Sequence, residues 1–193
     1  MRIYLVRHGQ TNYNLKRLVQ GRIDEPLNKT GIKQAKQTGQ LIKQLNFKFD
    51  KIVSSPLSRA FETAYLIAKK NNYKDNIILD NLLVERDFGQ YELTEIKESF
   101  PIVMQDGFNE NGFEDTETLK KRIKSAISNL YLNHSDQTLI LTVHAHVIRT
   151  IYVLMDENKY NYTNFYLGNC SIHVFDFDGS NFNLIETHNN DEA

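Results

Sequence analysis

The period of the apolar positions changes repeatedly along the chain. Ile3-Tyr4-Leu5-Val6 is an unbroken apolar run ended by Arg7-His8-Gly9, which predicts a short central strand buried on both faces. Residues 138–143, rich in Leu, Ile, Thr and Val, predict a second buried strand that stops at His144-Ala145-His146. Between them helical spacing takes over. Thr30 is the predicted N-cap of a helix with Ile32, Ala35, Gly39, Ile42 and Leu45 on one face. Lys51-Ile52-Val53 reads as a short strand ending at Ser54-Ser55-Pro56. Pro56 suits the first turn of a new helix, whose apolar stripe is Leu57, Ala60, Ala64, Ile67 and Ala68.

Ile77-Ile78-Leu79 predicts a third strand, and 114–132 a long helix with Leu119, Ile123, Ala126, Ile127 and Leu130 inward. Val147, Ile148 and Ile151 mark another helix. Segments 171–177 and 182–185 alternate around Asp178-Gly179-Ser180-Asn181, a hairpin signal. Three stretches lack a period: 10–29, 82–92 around Gly89, and 100–112 with Pro101, Gly107 and Gly112. The last is expected to be a surface loop, with a flap over a site as the alternative. A polar stretch as long as 10–29 is often functional in a compact domain. Strands alternating with helices predict an α/β fold, a three-layer α/β/α sandwich with a mainly parallel central sheet. The hairpin is expected to add antiparallel strands at an edge.

Composition narrows the partners. At 193 residues the chain fits one domain over 1–193, with no repeat or linker. Its 23 basic and 24 acidic residues leave a net charge of −1, which weighs against nucleic acid or a membrane surface as the main partner. The single Cys170 excludes an internal disulfide framework and a cysteine-rich metal cluster, and is expected to be a small buried hydrophobe. No stretch approaches the roughly 20 apolar residues of a spanning helix. Met1 leads directly into the first strand without the regions of a signal peptide, so a cytoplasmic location is expected. No heptad or apolar patch in the sequence sets an oligomeric state.

Candidate chemistry gathers where strands end. The two strong strands deliver His8 and His144, and two strand-to-helix turns add Arg59 and Glu85. An isolated Arg-His pair could simply face water. If all four turns open on one end of the sheet, however, a pocket there holds Arg7, His8, Arg59, Glu85 and His144, a set suited to a phosphoryl group. Guanidinium forks pair with its oxygens, an imidazole can attack phosphorus, and a carboxyl can protonate the leaving oxygen. His144 and His146 could suggest a metal pair, but side chains two apart on a helix point to different sides and no carboxylate cluster accompanies them; no metal or cofactor is expected. His134 and His173 carry no motif and are expected on the surface or in packing, and His188 in a frayed polar tail.

These motifs together resemble the histidine phosphatase superfamily, the phosphoglycerate mutase-like family. Arg7-His8-Gly9-Gln10-Thr11 with Asn14 is similar to its Arg-His-Gly-x-Thr-x-x-Asn signature. Gly21-Arg22-Ile23-Asp24-Glu25-Pro26-Leu27-Asn28 with Gly31 and Gln34-Ala35 resembles the next block, and Ser54-Ser55-Pro56-Leu57-Ser58-Arg59-Ala60 with Thr63-Ala64 the third. Glu85 with Phe88-Gly89 and Glu92, then Leu139 to His144 with Val147-Ile148-Arg149, complete the order. The resemblance implies a phosphoric monoester hydrolase of the histidine acid phosphatase type acting on a small phosphorylated substrate. It implies that His8 is the nucleophile, that Arg7, Arg59 and His144 bind the non-bridging oxygens, that Asn14 and the Gly21 backbone complete the cradle, and that Glu85 is acid then base. The chain departs from the family pattern at Ala145-His146, where Gly commonly follows the second histidine, at Asp115 after Glu114 (Arg122 keeps its spacing), and at Leu93 after Glu92.

Two other functions remain open at this level. One is a cofactor-dependent phosphoglycerate mutase; such mutases are usually longer, and only 93–114 is available here as a lid, which favours hydrolysis. The other is a catalytically silent phosphate-binding module, which retention of Arg7, His8, Arg59, Glu85 and His144 disfavours. Tyr91, Phe100 and Phe108 could stack on a substrate ring or sit in the core, and the core is the expectation for each.

Overall fold

The computed structural model describes residues 1–189. Six strands, β1 (Arg2–Arg7), β2 (Lys51–Ser54), β3 (Ile78–Leu79), β4 (Thr138–Val143), β5 (Ile172–Phe177) and β6 (Phe182–His188), form a sheet in the order β3-β2-β4-β1-β5-β6. The pairs β1/β4, β2/β4 and β2/β3 are parallel, while β5 runs antiparallel to β1 and to β6. The expected α/β architecture and the antiparallel hairpin at one edge are both present.

Strand alternation explains the unbroken apolar run of β1. Ile3 and Leu5 join a core with α5 (Thr116–His134) and α6 (Ala145–Met155). Tyr4 and Val6 join the opposite one, with Ile42 of α2 (Lys29–Gln44) and Ala64 and Ile67 of α3 (Ser58–Lys70). Both faces of the strand are dry, so both sets of positions must be apolar. Each such side chain contributes about 1.5–3 kcal/mol by leaving water.

Several expectations are corrected. Helix α2 is capped by Asn28, whose side chain accepts the Gly31 N–H at 2.8 Å, and Thr30 falls inside its first turn. Its buried face is Gly31, Ala35, Thr38, Gly39 and Ile42, leaving Ile32 and Leu45 partly exposed. Small residues occupy that face because α3 lies close: a Cβ on Gly39 would come within 2.9 Å of Lys70 Cβ. Pro56 precedes α3 rather than opening it, and the N-cap, Leu57, has no side chain able to cap. Asp24 does so instead, accepting both the N–H and the hydroxyl of Ser58 at 2.7 Å.

Two of the three irregular stretches, 10–29 and 100–112, are not plain loops. Within 10–29, α1 (Asn12–Leu15) is closed by a capping box between Thr11 and Asn14. Segment 100–112 begins in α4 (Ile96–Val103), which runs through Pro101. Phe100, Phe108 and Tyr91 pack around Val19, Phe88, Val103 and Phe113. Backbone bonds Leu93 N–H to Val19 O (2.7 Å), Val19 N–H to Thr94 O (2.9 Å) and Ile96 N–H to Arg17 O (3.0 Å) tie this unit to the 17–19 segment. His188 is the last residue of β6 and pairs with Glu186, not part of a frayed tail. His173 is buried between Tyr152 and Ser171, and Cys170 is buried.

Candidate active site

Strand register brings the site together. Arg7 of β1 lies beside Val143 of β4, and Thr142 beside Ser54 of β2. The ladder continues past the strands: His8 N–H bonds Val143 O at 2.9 Å and Ser55 N–H bonds Thr142 O at 3.0 Å. His8, His144 and Ser55 therefore leave the sheet at one end, with the two imidazole centroids 5.2 Å apart. Arg59 enters from the first turn of α3, and Glu85 follows the short turn Asn81–Leu83 after β3. Arg7, His8, Asn14, Gly21, Arg59 and Glu85 all line one cavity of ≈ 780 Å³. His144 is wholly buried and joins the set through its ring contact with His8.

Hydrogen bonds orient each group. The carbonyl of Gly9 can only accept, so His8 Nδ1, 2.7 Å away, carries the proton and Nε2 keeps its lone pair. A Cβ on Gly9 would lie 2.6 Å from the Gly31 carbonyl oxygen, so only glycine lets this turn sit against the start of α2. His144 Nε2 lies 2.7 Å from Ser55 Oγ. Arg7 donates to Leu167 O at 2.6 Å, and Arg59 to Ile23 O at 2.8 Å and Gly21 O at 2.7 Å. Gly21 thus holds Arg59 through its carbonyl, with its own φ at +52°. Asn14 Oδ1 accepts from Thr11 N–H (3.1 Å) and Asn169 Nδ2 (3.3 Å). Arg7 Nε, Arg59 Nε and His144 Nδ1 are buried without a hydrogen-bond partner among the described residues.

Electrostatics set the protonation states. Burial, then the Arg59 and Arg7 charges, push the His8 pKa well below its usual range, so its imidazole is neutral. Burial lowers His144 in the same way. Arg59 falls to about 10 through burial and remains a cation at neutral pH. Glu85 moves upward: burial outweighs the Arg86 and His146 N–H groups, 2.8 and 3.3 Å from its oxygens, and the nearby arginines. A neutral nucleophile, two guanidiniums and a carboxyl inclined to keep its proton can bind a tetrahedral anion, attack it and protonate what leaves.

Sequence reasoning missed part of the surroundings. Lys16, Arg17, His146 and Arg149 also line the cavity. Glu114 and Arg122 form a buried fork, with two contacts of 2.7 Å. Arg122 also donates to Leu82 O (2.7 Å) and Val84 O (2.8 Å), pinning the turn that carries Glu85. The eight-residue separation of Glu114 and Arg122 was visible in the sequence; their partner, a backbone turn, was not. The His146 ring packs on Phe88 and Tyr162, and no cluster of three or more His, Cys, Asp or Glu suited to a metal occurs among the described residues.

Residues 3–191 match the model of the histidine phosphatase superfamily (branch 1). The uncharacterized phosphatase PhoE of Bacillus subtilis is 34% identical over 153 residues, 77% of this chain and 74% of that protein. The broad-specificity phosphatase YOR283W of Saccharomyces cerevisiae is 27% identical over 184 residues, 92% of this chain and 80% of its own. Among solved structures, a phosphoserine phosphatase from Entamoeba histolytica in complex with phosphoserine superposes with a TM-score of 0.82 at 28% identity, covering 96% of this chain and 95% of that one.

Proposed function

The chain belongs to the histidine phosphatase superfamily, and on that premise we propose that it is a metal-independent phosphomonoesterase that hydrolyses a small cytoplasmic phosphorylated metabolite through a phosphohistidine. The observation that carries this reading is the His8–Gly9 hydrogen bond, which leaves a neutral Nε2 lone pair in a cavity lined by Arg7 and Arg59. The relatives named as phosphatases support the same class.

The reaction follows from the geometry. The phosphoryl oxygens pair with Arg7 and Arg59, with Asn14 beside them, and the Ser55 hydroxyl donates a hydrogen bond to His144 Nε2, so that Nδ1–H of the neutral His144 ring is a further donor. His8 Nε2 attacks phosphorus while the bond to the ester oxygen breaks, and Glu85 gives its proton to that oxygen. Concentrated cationic and N–H donors stabilise the charge spread over the equatorial oxygens. Glu85, now a carboxylate, takes a proton from water, whose oxygen attacks phosphorus. The phosphorus–nitrogen bond breaks, phosphate leaves, and His8 and Glu85 return to their starting states.

Phosphate release from p-nitrophenyl phosphate, sugar phosphates and 3-phosphoglycerate, with and without EDTA, tests this reading against His8→Ala. Release that survives EDTA and disappears in His8→Ala is expected. Isomerisation of 3-phosphoglycerate primed with 2,3-bisphosphoglycerate, without net release, would establish a mutase instead.

A further inference from the structure

The turn at residues 167–171 closes on Arg7 and His8. Leu167 O accepts Arg7 Nη1 at 2.6 Å, Ser171 O accepts the Arg7 N–H at 3.2 Å, and the Cys170 N–H reaches Arg7 O at 3.0 Å. Asn169 Nδ2 donates to His8 O at 3.0 Å. The Leu167 contact occupies one end of the Arg7 fork. Its Nε, without a partner among the described residues, belongs to the edge left for phosphoryl oxygens. Where the turn holds Leu167 O therefore sets the aim of that edge. The turn is also strained, since Cys170 sits at φ +59° without being glycine.

A buried polar chain outside the proposed reaction supports this turn. Ser171 Oγ donates to Gly168 O at 2.8 Å and lies 2.9 Å from His173 Nε2, while His173 Nδ1 lies 2.8 Å from the Tyr152 hydroxyl. Burial lowers the His173 pKa to about 4, so its ring is neutral at pH 7 and carries one proton. The Gly168 carbonyl can only accept, so the Ser171 proton goes there. Nε2–H then donates to Ser171 Oγ, and Nδ1 accepts from Tyr152. This one order of protons satisfies every member, and reversing it would strip Gly168 O of its side-chain donor. Tyr152, His173 and Ser171 are 4, 3 and 0% exposed, and none of them lines the cavity. His173 pairs with Leu5 across the sheet, beside an apolar core that holds Leu5, Tyr152 and Phe175. An imidazole there carries a desolvation cost that an aliphatic side chain would not. What it adds is two directed hydrogen bonds.

We propose that Tyr152, His173 and Ser171 are positioning residues that brace the 167–171 turn and thereby aim Arg7 at the phosphoryl group. The proposal rests on the phosphomonoesterase reading and extends its machinery beyond the cavity wall.

A double-mutant cycle against Arg7 tests it, because residues that act through one group are not additive, whereas independent damage is. The kcat/KM on p-nitrophenyl phosphate and the dissociation constant of inorganic phosphate are compared in the wild type, Ser171→Ala, Tyr152→Phe, Arg7→Ala and the two doubles. Ser171→Ala is expected to lose about tenfold in both quantities, within the usual range for one hydrogen bond, and Tyr152→Phe somewhat less. In the Arg7→Ala background each should lose less than about twofold more. Nitrogen-15 shifts of the His173 ring should show the Nε2-protonated tautomer in the wild type. Losses of equal size with and without Arg7 overturn the proposal in favour of a general packing role. Unchanged kinetics and phosphate affinity in folded Ser171→Ala, or an Nδ1-protonated His173 in the wild type, overturn it too. If Ser171→Ala does not fold, Tyr152→Phe, which deletes one oxygen, decides by the same comparison. No release from any ester by folded wild-type protein overturns the phosphatase reading, while the phosphate-affinity cycle still decides the brace.

Discussion

His8 Nδ1 donates to the carbonyl oxygen of Gly9 across 2.7 Å, and this one contact fixes which ring nitrogen can react. The turn that provides the carbonyl is held against backbone, not against a flexible side chain: the Cβ of an alanine at position 9 would meet Gly31 O at 2.6 Å and its neighbouring carbon at 3.0 Å. Gly9→Ala is expected to displace the carbonyl, lower kcat by an order of magnitude or more, and cost about 1–3 kcal/mol of stability, as overpacking does. Steady-state kinetics alongside thermal unfolding would check both halves.

Glu85 acts on the leaving oxygen. Glu85→Gln should reduce kcat about 10²–10⁴-fold on an alkyl phosphate, the usual worth of a general acid. The loss on p-nitrophenyl phosphate should be smaller, because its leaving group departs without needing a proton. Equal losses on the two esters would argue against the acid role.

The pH profile of kcat/KM should be a bell whose limbs have assigned origins. His8 is active when neutral, so the rate rises as pH climbs through its depressed pKa, below the usual 6.5. Glu85 is active when protonated, so the rate falls above its elevated pKa, which exceeds the usual 4.5. Glu85→Gln should erase the alkaline limb and leave the acid limb in place, as a kcat/KM profile of that variant would record.

Acid should destabilise the fold through its buried imidazoles. His8, His144, His146 and His173 all have folded pKa values below 6.5, His173 at about 4. The unfolded chain therefore binds more protons than the folded one below that value. Their contribution is present in full above pH 6.5 and is lost as pH falls; for His173 the window runs down to about 4. Tm should fall across that range, and His173→Gln should flatten the slope.

Arg122 positions Glu85 without lining the cavity itself, reaching the Glu85 carbonyl at 3.4 Å from behind. Arg122→Met leaves Glu114, with 6% of its side chain exposed, without its main partner, and releases Leu82 O and Val84 O. A loss of about 3–5 kcal/mol is expected, the cost of breaking a buried ion pair from one side. The protein that remains folded should show a lower kcat, since the turn before Glu85 is no longer pinned. Denaturant unfolding and single-turnover rates would report the two effects separately.

What the sequence carried was local. Period gave β1 and β4, and the residues just past each strand gave His8 and His144, because a parallel sheet sends every such end to one edge. Cap position was harder: Asn28 and Thr30 are both good caps, and Asn28 prevails where the chain meets Gln10 and Gly31. Ile32 looked inward by hydrophobicity, yet the buried face belongs to Gly31, Ala35 and Gly39, with Gly39 set against α3 and Gly31 against the Gln10 backbone. Helix α4 was hidden by Pro101 and by aromatics whose partners, Val19 and Phe113, lie far off in the chain. Arg149 belonged to a recognisable motif, but only three dimensions show that it borders the cavity with its Nη1 buried and without a hydrogen-bond partner among the described residues.

The central claim is a covalent bond between phosphorus and His8 Nε2, and chemical trapping tests it most directly. Enzyme quenched into alkali during turnover of a phosphate monoester preserves a phosphohistidine, which peptide mass spectrometry can place. The account predicts a phosphoryl group on His8 in the wild type, a larger fraction in Glu85→Gln if water attack becomes limiting, and none in His8→Ala. Sustained hydrolysis by the wild type with inversion of configuration at phosphorus and no phosphoryl group on His8 would contradict it.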